Sequence, residues 1–171
     1  MRELSTNQTI EWPCLVWPKP YGVRCHTRVY RGRSYLYSYS EGLFLGLEHI
    51  VSELAELALV ERLDGFLVGS TTAAKEALCS ILARTTVPHP AACEVEYLVY
   101  DYVSNDYAYE RVLRLSGLLR EGKKIRLLKP SLANDLRELC LLRKQAEQAG
   151  YEGTIVRNMN TPFIQNWTSP F

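Results

Sequence analysis

The sequence predicts an α+β domain with largely antiparallel strands, and three observations predict it. Short runs alternating apolar and polar residues interleave with segments whose apolar residues recur at helical spacing. An early pair of alternating runs is joined by Arg31-Gly32, a hairpin signature. Residues 94–103 (EVEYLVYDYV) are aromatic and apolar nearly throughout, as in a strand at the centre of a sheet.

In chain order, an apolar run at 14–16 leads into Trp17-Pro18-Lys19-Pro20-Tyr21-Gly22, where prolines flanking a lysine disfavour helix and indicate a strand ending in a turn. Residues 23–30 alternate and are rich in β-formers, and 34–39 return with the same alternation. Leu47, Ile50, Val51, Leu54 and Leu57 place one apolar stripe on a helix over 47–59. A strand over 63–68 and a helix over 72–82 come next, then the central strand, a helix over 109–119 and a strand over 125–128. Ser131 reads as the N-cap of a helix running to Ala149 and ended by Gly150. Residues 154–156 form a last strand, and 158–171 read as a polar tail. With no repeat and no linker, 1–171 reads as one domain, a length able to bury a substantial core.

Composition narrows the function classes. Apolar residues are 47% and charged residues 23%, ordinary for a globular protein. No run approaches the roughly 18 apolar residues of a membrane span, and the polar start lacks a signal-peptide core, so a cytoplasmic setting without membrane contact is expected. Cys14, Cys25, Cys79, Cys93 and Cys140 are scattered without a CxxC pair, which argues against zinc and for reduced thiols in the core. His26, His49 and His89 also lack ligand spacing, so no metal site is assigned from spacing. Twenty Lys and Arg face 19 Asp and Glu, a net charge of +1. A duplex-gripping protein usually carries a basic excess, so nucleic acid is not favoured as a partner. Basic strips at 24–33 and 120–129 are local, and the tyrosines Tyr30, Tyr35, Tyr37 and Tyr39 read first as cross-strand packing rather than a base-stacking platform.

Five short segments, in order, carry a resemblance. They are Lys19-Pro20-Tyr21-Gly22-Val23-Arg24, Ser38-Tyr39-Ser40-Glu41-Gly42, Leu63-Asp64-Gly65-Phe66-Leu67, Val99-Tyr100-Asp101-Tyr102 and Glu152-Gly153-Thr154-Ile155-Val156-Arg157. Together they resemble the motifs of the ATP-dependent DNA ligases in the small viral or phage form: Lys-x-Asp-Gly-x-Arg, Ser-Arg-x-Gly, Leu-Asp-Gly-Glu-Leu, Val-Phe-Asp-Leu and Glu-Gly-x-x-x-Lys/Arg. The resemblance implies the adenylation (nucleotidyltransferase) domain, two largely antiparallel sheets flanked by helices, with an ATP cleft between them. It implies that a lysine attacks the α-phosphate to give lysyl-AMP, which needs a desolvated or cation-flanked amine and carboxylates for a divalent metal. Carried over by position, Lys19 is the nucleophile, Tyr100 lies against adenine, Arg24 meets a ribose or phosphate oxygen, Glu152 is a metal or ribose ligand, and Arg157 contacts phosphate. Gly22 allows the tight turn.

The departures fall at pocket positions. Tyr21 stands where the family has Asp, Tyr39 where it has Arg, Phe66 where it has Glu, and Trp17 at the position, two before the lysine, that reads the adenine amino group. No lysine follows Lys144, so the family's Lys-x-Lys motif does not follow Arg157 within these residues, and a chain without the DNA-clamping barrel is expected. Losing one electrostatic partner of this kind typically costs about 100- to 1,000-fold in rate. The four substituted positions are all aromatic, suited to filling a cleft or gripping another protein. The expected function is therefore a catalytically degenerate ligase-like protein, phage-derived by motif style, that binds a protein partner such as a host or defence protein. An active lysyl-AMP-forming enzyme using ATP (or carrying AMP) and Mg2+ is the alternative, and a non-catalytic DNA binder the second alternative.

Overall fold

The computed structural model describes residues 9–56, 62–119 and 124–163. The predicted helical residues 57–59, part of the basic strip (120–123) and the tail residues 164–171 lie outside them. Strands β1 (Cys14–Lys19), β7 (Ser131–Ala133) and β8 (Gly153–Asn158) form a small antiparallel sheet in the order β7-β1-β8. Strands β2 (Val23–Tyr30), β3 (Arg33–Ser38), β4 (Leu63–Gly69), β5 (Val95–Tyr102) and β6 (Ile125–Leu127) form a second sheet in the order β3-β2-β4-β5-β6, antiparallel except for β5 and β6. Helices α1 (Glu48–Glu56), α2 (Thr72–Leu82), α3 (Ala108–Leu118) and α4 (Leu136–Gln148) flank them, giving the expected α+β architecture.

Strand alternation divides the interior into layers. On one face of the large sheet, Cys25, Leu36, Leu67 and Val99 pack with Ile50 and Leu54 of α1 and Leu78 and Ile81 of α2. On β1, Cys14 and Val16 pack with Leu139 of α4. The intervening residues Leu15 and Trp17 turn the other way and meet Phe66, Val68 and Tyr100 across the space between the sheets. Lys19, two beyond Trp17, continues that inward-facing row to its rim.

A β-bulge sets the composition of the inter-sheet space. Asp64 pairs with Asp101, but Gly65 pairs with Val99, so Tyr100 is an extra residue on β5. Val99 and Tyr102 therefore both face the helix-covered core, and Tyr100 and Asp101 are both released from it. Glycine at 65 is required by closeness: a Cβ there would lie 2.3 Å from the Leu98 carbonyl oxygen.

Three expectations need correction. Ser131 does not cap a helix; it begins β7, and α4 starts at Asp135, whose carboxylate accepts from the Glu138 amide at 2.8 Å while Glu138 accepts from the Asn134 amide. A helix beginning at 131 would have removed the edge partner of β1. Only Cys14 and Cys25 are core thiols; Cys79, Cys93 and Cys140 are exposed, because each falls off the apolar stripe of its segment. Gly22 is needed less for a turn than for close approach, since a Cβ would lie 2.6 Å from the Leu67 carbonyl oxygen of the neighbouring strand. Among the described residues, no helix is long and apolar enough to cross a membrane.

Candidate nucleotide cleft

The inter-sheet space is lined from both sides by the residues the motifs single out. Trp17 of β1, Phe66 of β4 and Tyr100 of β5 are 1%, 4% and 2% exposed. The Trp17 ring meets Tyr100 edge-on at 5.9 Å between centroids, and Phe66 lies tilted against Tyr100 at 5.6 Å. These are ordinary spacings for aromatic pairs in a packed core. Leu15, Ala108, Leu128, Tyr151 and Ile155 are among the residues that pack around them. The Trp17 indole Nε1 is buried without a hydrogen-bond partner among the described residues.

Two arginines border these rings, and both are held by resident acids. Arg24 Nη2 donates to Asp64 Oδ2 at 2.7 Å and to the Tyr100 hydroxyl at 2.9 Å, and its Nε reaches Asp64 Oδ1 at 3.3 Å. The Tyr100 hydroxyl in turn donates to Asp64 Oδ2 at 3.0 Å. Burial opposes the charge of Arg24, but Asp64 and the phenolic oxygen of Tyr100 outweigh it and raise its pKa. Arg157 of β8 donates to the Tyr100 hydroxyl at 3.1 Å and lies 3.4 Å from Asp101 Oδ2. Burial likewise works against it, with Tyr100 and Asp101 prevailing. Burial, reinforced by Asp64, pushes the Tyr100 phenol upward, so its hydroxyl stays a donor.

Asp101 has a second guanidinium. Arg111 of α3 is fully buried and forks onto it, Nε to Oδ1 at 2.7 Å and Nη2 to Oδ2 at 3.1 Å. Its Nη1 donates to the carbonyls of Asp106 and Thr161 at 2.6 and 3.1 Å. The chain thus joins Arg24, Asp64, Tyr100, Arg157, Asp101 and Arg111 into one network running beside the aromatic cluster. Sequence reasoning passed over three members. Asp64 and Asp101 stood inside the quoted motifs, and Arg111 lay on a helix stripe otherwise occupied by Ala108 and Leu115.

Lys19 and Glu152 meet at the rim. Lys19 Nζ donates to Glu152 Oε1 at 3.1 Å, and the Glu152 amide donates to the Lys19 carbonyl at 2.8 Å. The side chains are 38% and 45% exposed, so the pair contributes at most about 1 kcal/mol. The remaining substituted positions lie outside the cluster. Tyr21 is 66% exposed. Tyr39 flanks the cleft, its ring 4.2 Å from the Arg24 guanidinium carbon and edge-on to His26 at 5.2 Å. Burial, then Arg62 and Arg28, lower the His26 pKa to about 4, leaving a neutral ring at neutral pH. Of the four aromatic replacements, Trp17 and Phe66 fill the inter-sheet space, Tyr39 lies at its edge with its hydroxyl on Asp64, and Tyr21 is exposed.

No grouping of three or more His, Cys, Asp or Glu side chains able to hold a metal ion occurs among the described residues. The donors do not fit a divalent cation: Asp64 and Asp101 each present both oxygens to arginine, Phe66 is an aromatic ring, and Glu152 stands at the rim with no second carboxylate grouped with it among the described residues.

Two β-sheets closing over this motif set define the nucleotidyltransferase fold of the DNA ligase adenylation domain. No family model matches the chain. Its sequence is 28% identical over 150 residues to the DNA ligase of African swine fever virus (isolate Tick/Malawi/Lil 20-1/1983), covering 81% of this chain and 35% of that protein. Its fold superposes on Chlorella virus DNA ligase-adenylate with a TM-score of 0.69 at 20% identity, over 95% of this chain and 61% of the other. The ATP-dependent DNA ligase of bacteriophage T7, in complex with ATP, gives 0.62 at 20% identity, over 87% and 57%. The chain is ligase-like in fold, its sequence and structure neighbours include viral and phage DNA ligases, and it spans less than two thirds of the length of each of these three.

Proposed function

We propose that this ligase-like protein acts by binding a protein partner and does not transfer nucleotide. The observation that carries the reading is the occupancy of the inter-sheet space: Trp17 and Phe66 both pack on Tyr100, the ring that the resemblance would lay against adenine. Arg24 and Arg157, the cations that would meet nucleotide oxygens, are bound by Asp64, Asp101 and Tyr100. Freeing them exposes buried carboxylates, a cost of several kcal/mol per ion that a triphosphate would have to offset. Lys19 adds to the case. A nucleophilic lysine is activated by a desolvated or cation-flanked setting, whereas Lys19 is exposed beside a carboxylate. The viral ligase relative is compatible with a host cytoplasm as the setting and a host or defence protein as the partner.

The test is covalent labelling. The protein incubated with α-labelled ATP and magnesium, then denatured, is expected to retain no label above a Lys19→Ala control. Label held by the parent and lost in the control would overturn the reading in favour of an active, lysyl-AMP-forming enzyme.

A further inference from the structure

We infer that the outward face of the β2–β3 hairpin is the docking surface for the protein partner, and that the partner presents it with a segment rich in aspartate and glutamate. This rests on the binding reading above and adds where and by what chemistry.

The register defines the face. His26, Arg28 and Tyr30 of β2 stand directly opposite Tyr37, Tyr35 and Arg33 of β3; His26 is buried against Tyr37 and Tyr39, so the exposed face runs from Arg28 to the hairpin tip. The alternate residues Cys25, Thr27 and Leu36 turn into the core. Guanidinium carbons lie 5.1 Å from the Tyr37 ring (Arg28), 5.2 Å from Tyr30 (Arg31) and 5.8 Å from Tyr35 (Arg33). Arg24 over Tyr39 continues the row to the cleft edge. Tyr30 is 60% exposed. β3 is an edge strand of its sheet, so a partner can approach this end of the fold.

Tyrosine and arginine are the residues in which binding energy concentrates at protein interfaces, whereas lysine is depleted there. This face carries four arginines and no lysine. A guanidinium stacked on a ring loses little entropy on binding and offers its fork to carboxylate in bidentate geometry. Arg28 is ion-paired with Glu41, and Arg24 is committed to Asp64. Arg31 and Arg33 make no ion pair among the described residues, leaving positive charge at the hairpin tip. That selects a partner of opposite sign. Single-stranded nucleic acid fits less well, since it needs a run of phosphate contacts and open rings. Here only Arg31 and Arg33 of the row lack an ion pair among the described residues, too short a run for a phosphate backbone, and Tyr35 and Tyr37 are half-buried.

A fluorescent oligoglutamate peptide is the probe, with an oligo-dT strand of equal charge beside it. Arg31→Glu with Arg33→Glu is expected to weaken oligoglutamate binding by about tenfold or more, and Tyr30→Ala with Tyr35→Ala by a smaller factor. Arg137→Glu with Arg143→Glu on α4 changes net charge equally and is expected to leave binding unchanged. Thermal unfolding checks each variant, and Arg33→Gln, which keeps the size, replaces the double change if that lowers Tm. Equal losses in both charge-reversed pairs, no loss at the hairpin, or oligo-dT binding as tightly as oligoglutamate would overturn the assignment. The labelling experiment is independent. Label on Lys19 would end the binding-only reading whatever the peptide does, and a failed peptide test with unlabelled Lys19 would remove only this surface.

Discussion

Asp101→Ala is expected to destabilise the protein by about 3–5 kcal/mol, because it strands a fully buried cation. Arg111 is 0% exposed, and the two carbonyls on its Nη1 cannot replace a carboxylate engaged at two nitrogens. Arg157 loses the same partner. Domains typically hold only about 5–15 kcal/mol in reserve, and at this size 1 kcal/mol moves Tm by about 2–4 °C. A fall in Tm of roughly 6–20 °C is therefore expected. Asp101→Leu combined with Arg111→Met should lose less than Asp101→Ala alone, since the fully buried Arg111 charge is removed with its partner and Arg157 keeps the Tyr100 hydroxyl. Guanidinium denaturation of the three proteins checks this. A loss below about 1 kcal/mol in Asp101→Ala would mean that Arg111 is relieved by solvent and the network is not closed.

Phe66→Glu, which restores the acid the ligase motif carries, is expected to cost at least about 4 kcal/mol and to restore no adenylylation. The ring is 4% exposed and packs on Tyr100, so its removal alone falls in the range of large-to-small core changes. The incoming carboxylate would sit in the aromatic cluster near Asp64, which is itself fully buried. Phe66→Leu, keeping the site apolar, should lose much less. Soluble yield and denaturation midpoints measure the difference. A stable Phe66→Glu protein that forms lysyl-AMP would show that the cleft still accepts the family's chemistry.

The order of elements was readable from sequence because each buried face repeats at the period of its backbone. The stripe Ile50, Val51 and Leu54 and the run 95–102 are cases in point. β7 was not readable. At three residues, with Ser131 exposed, it carries no alternation, and only its pairing with Cys14, Leu15 and Val16 makes it a strand. At the cleft, the motifs located Lys19, Tyr100, Glu152 and Arg157, and the structure gathers them around β1, β5 and β8. The partners of the arginines were hidden. Arg24 and Asp64 are forty residues apart in the chain. Asp101 reaches the cleft side only because a bulge at Tyr100 shifts the alternation, and no local pattern announces a bulge. The aromatic substitutions were visible as a group, but which of them turn inward depended on tertiary structure. Trp17 and Phe66 enter the cluster, Tyr39 closes its edge over Arg24 and Asp64, and Tyr21 is exposed.

The central claim is that resident side chains hold the space between the sheets against nucleotide. Calorimetric titration of the protein with ATP and magnesium tests it most directly. No saturable heat is expected up to millimolar ATP, whereas stoichiometric, saturable binding in the parent that Trp17→Ala or Lys19→Ala alters would contradict it.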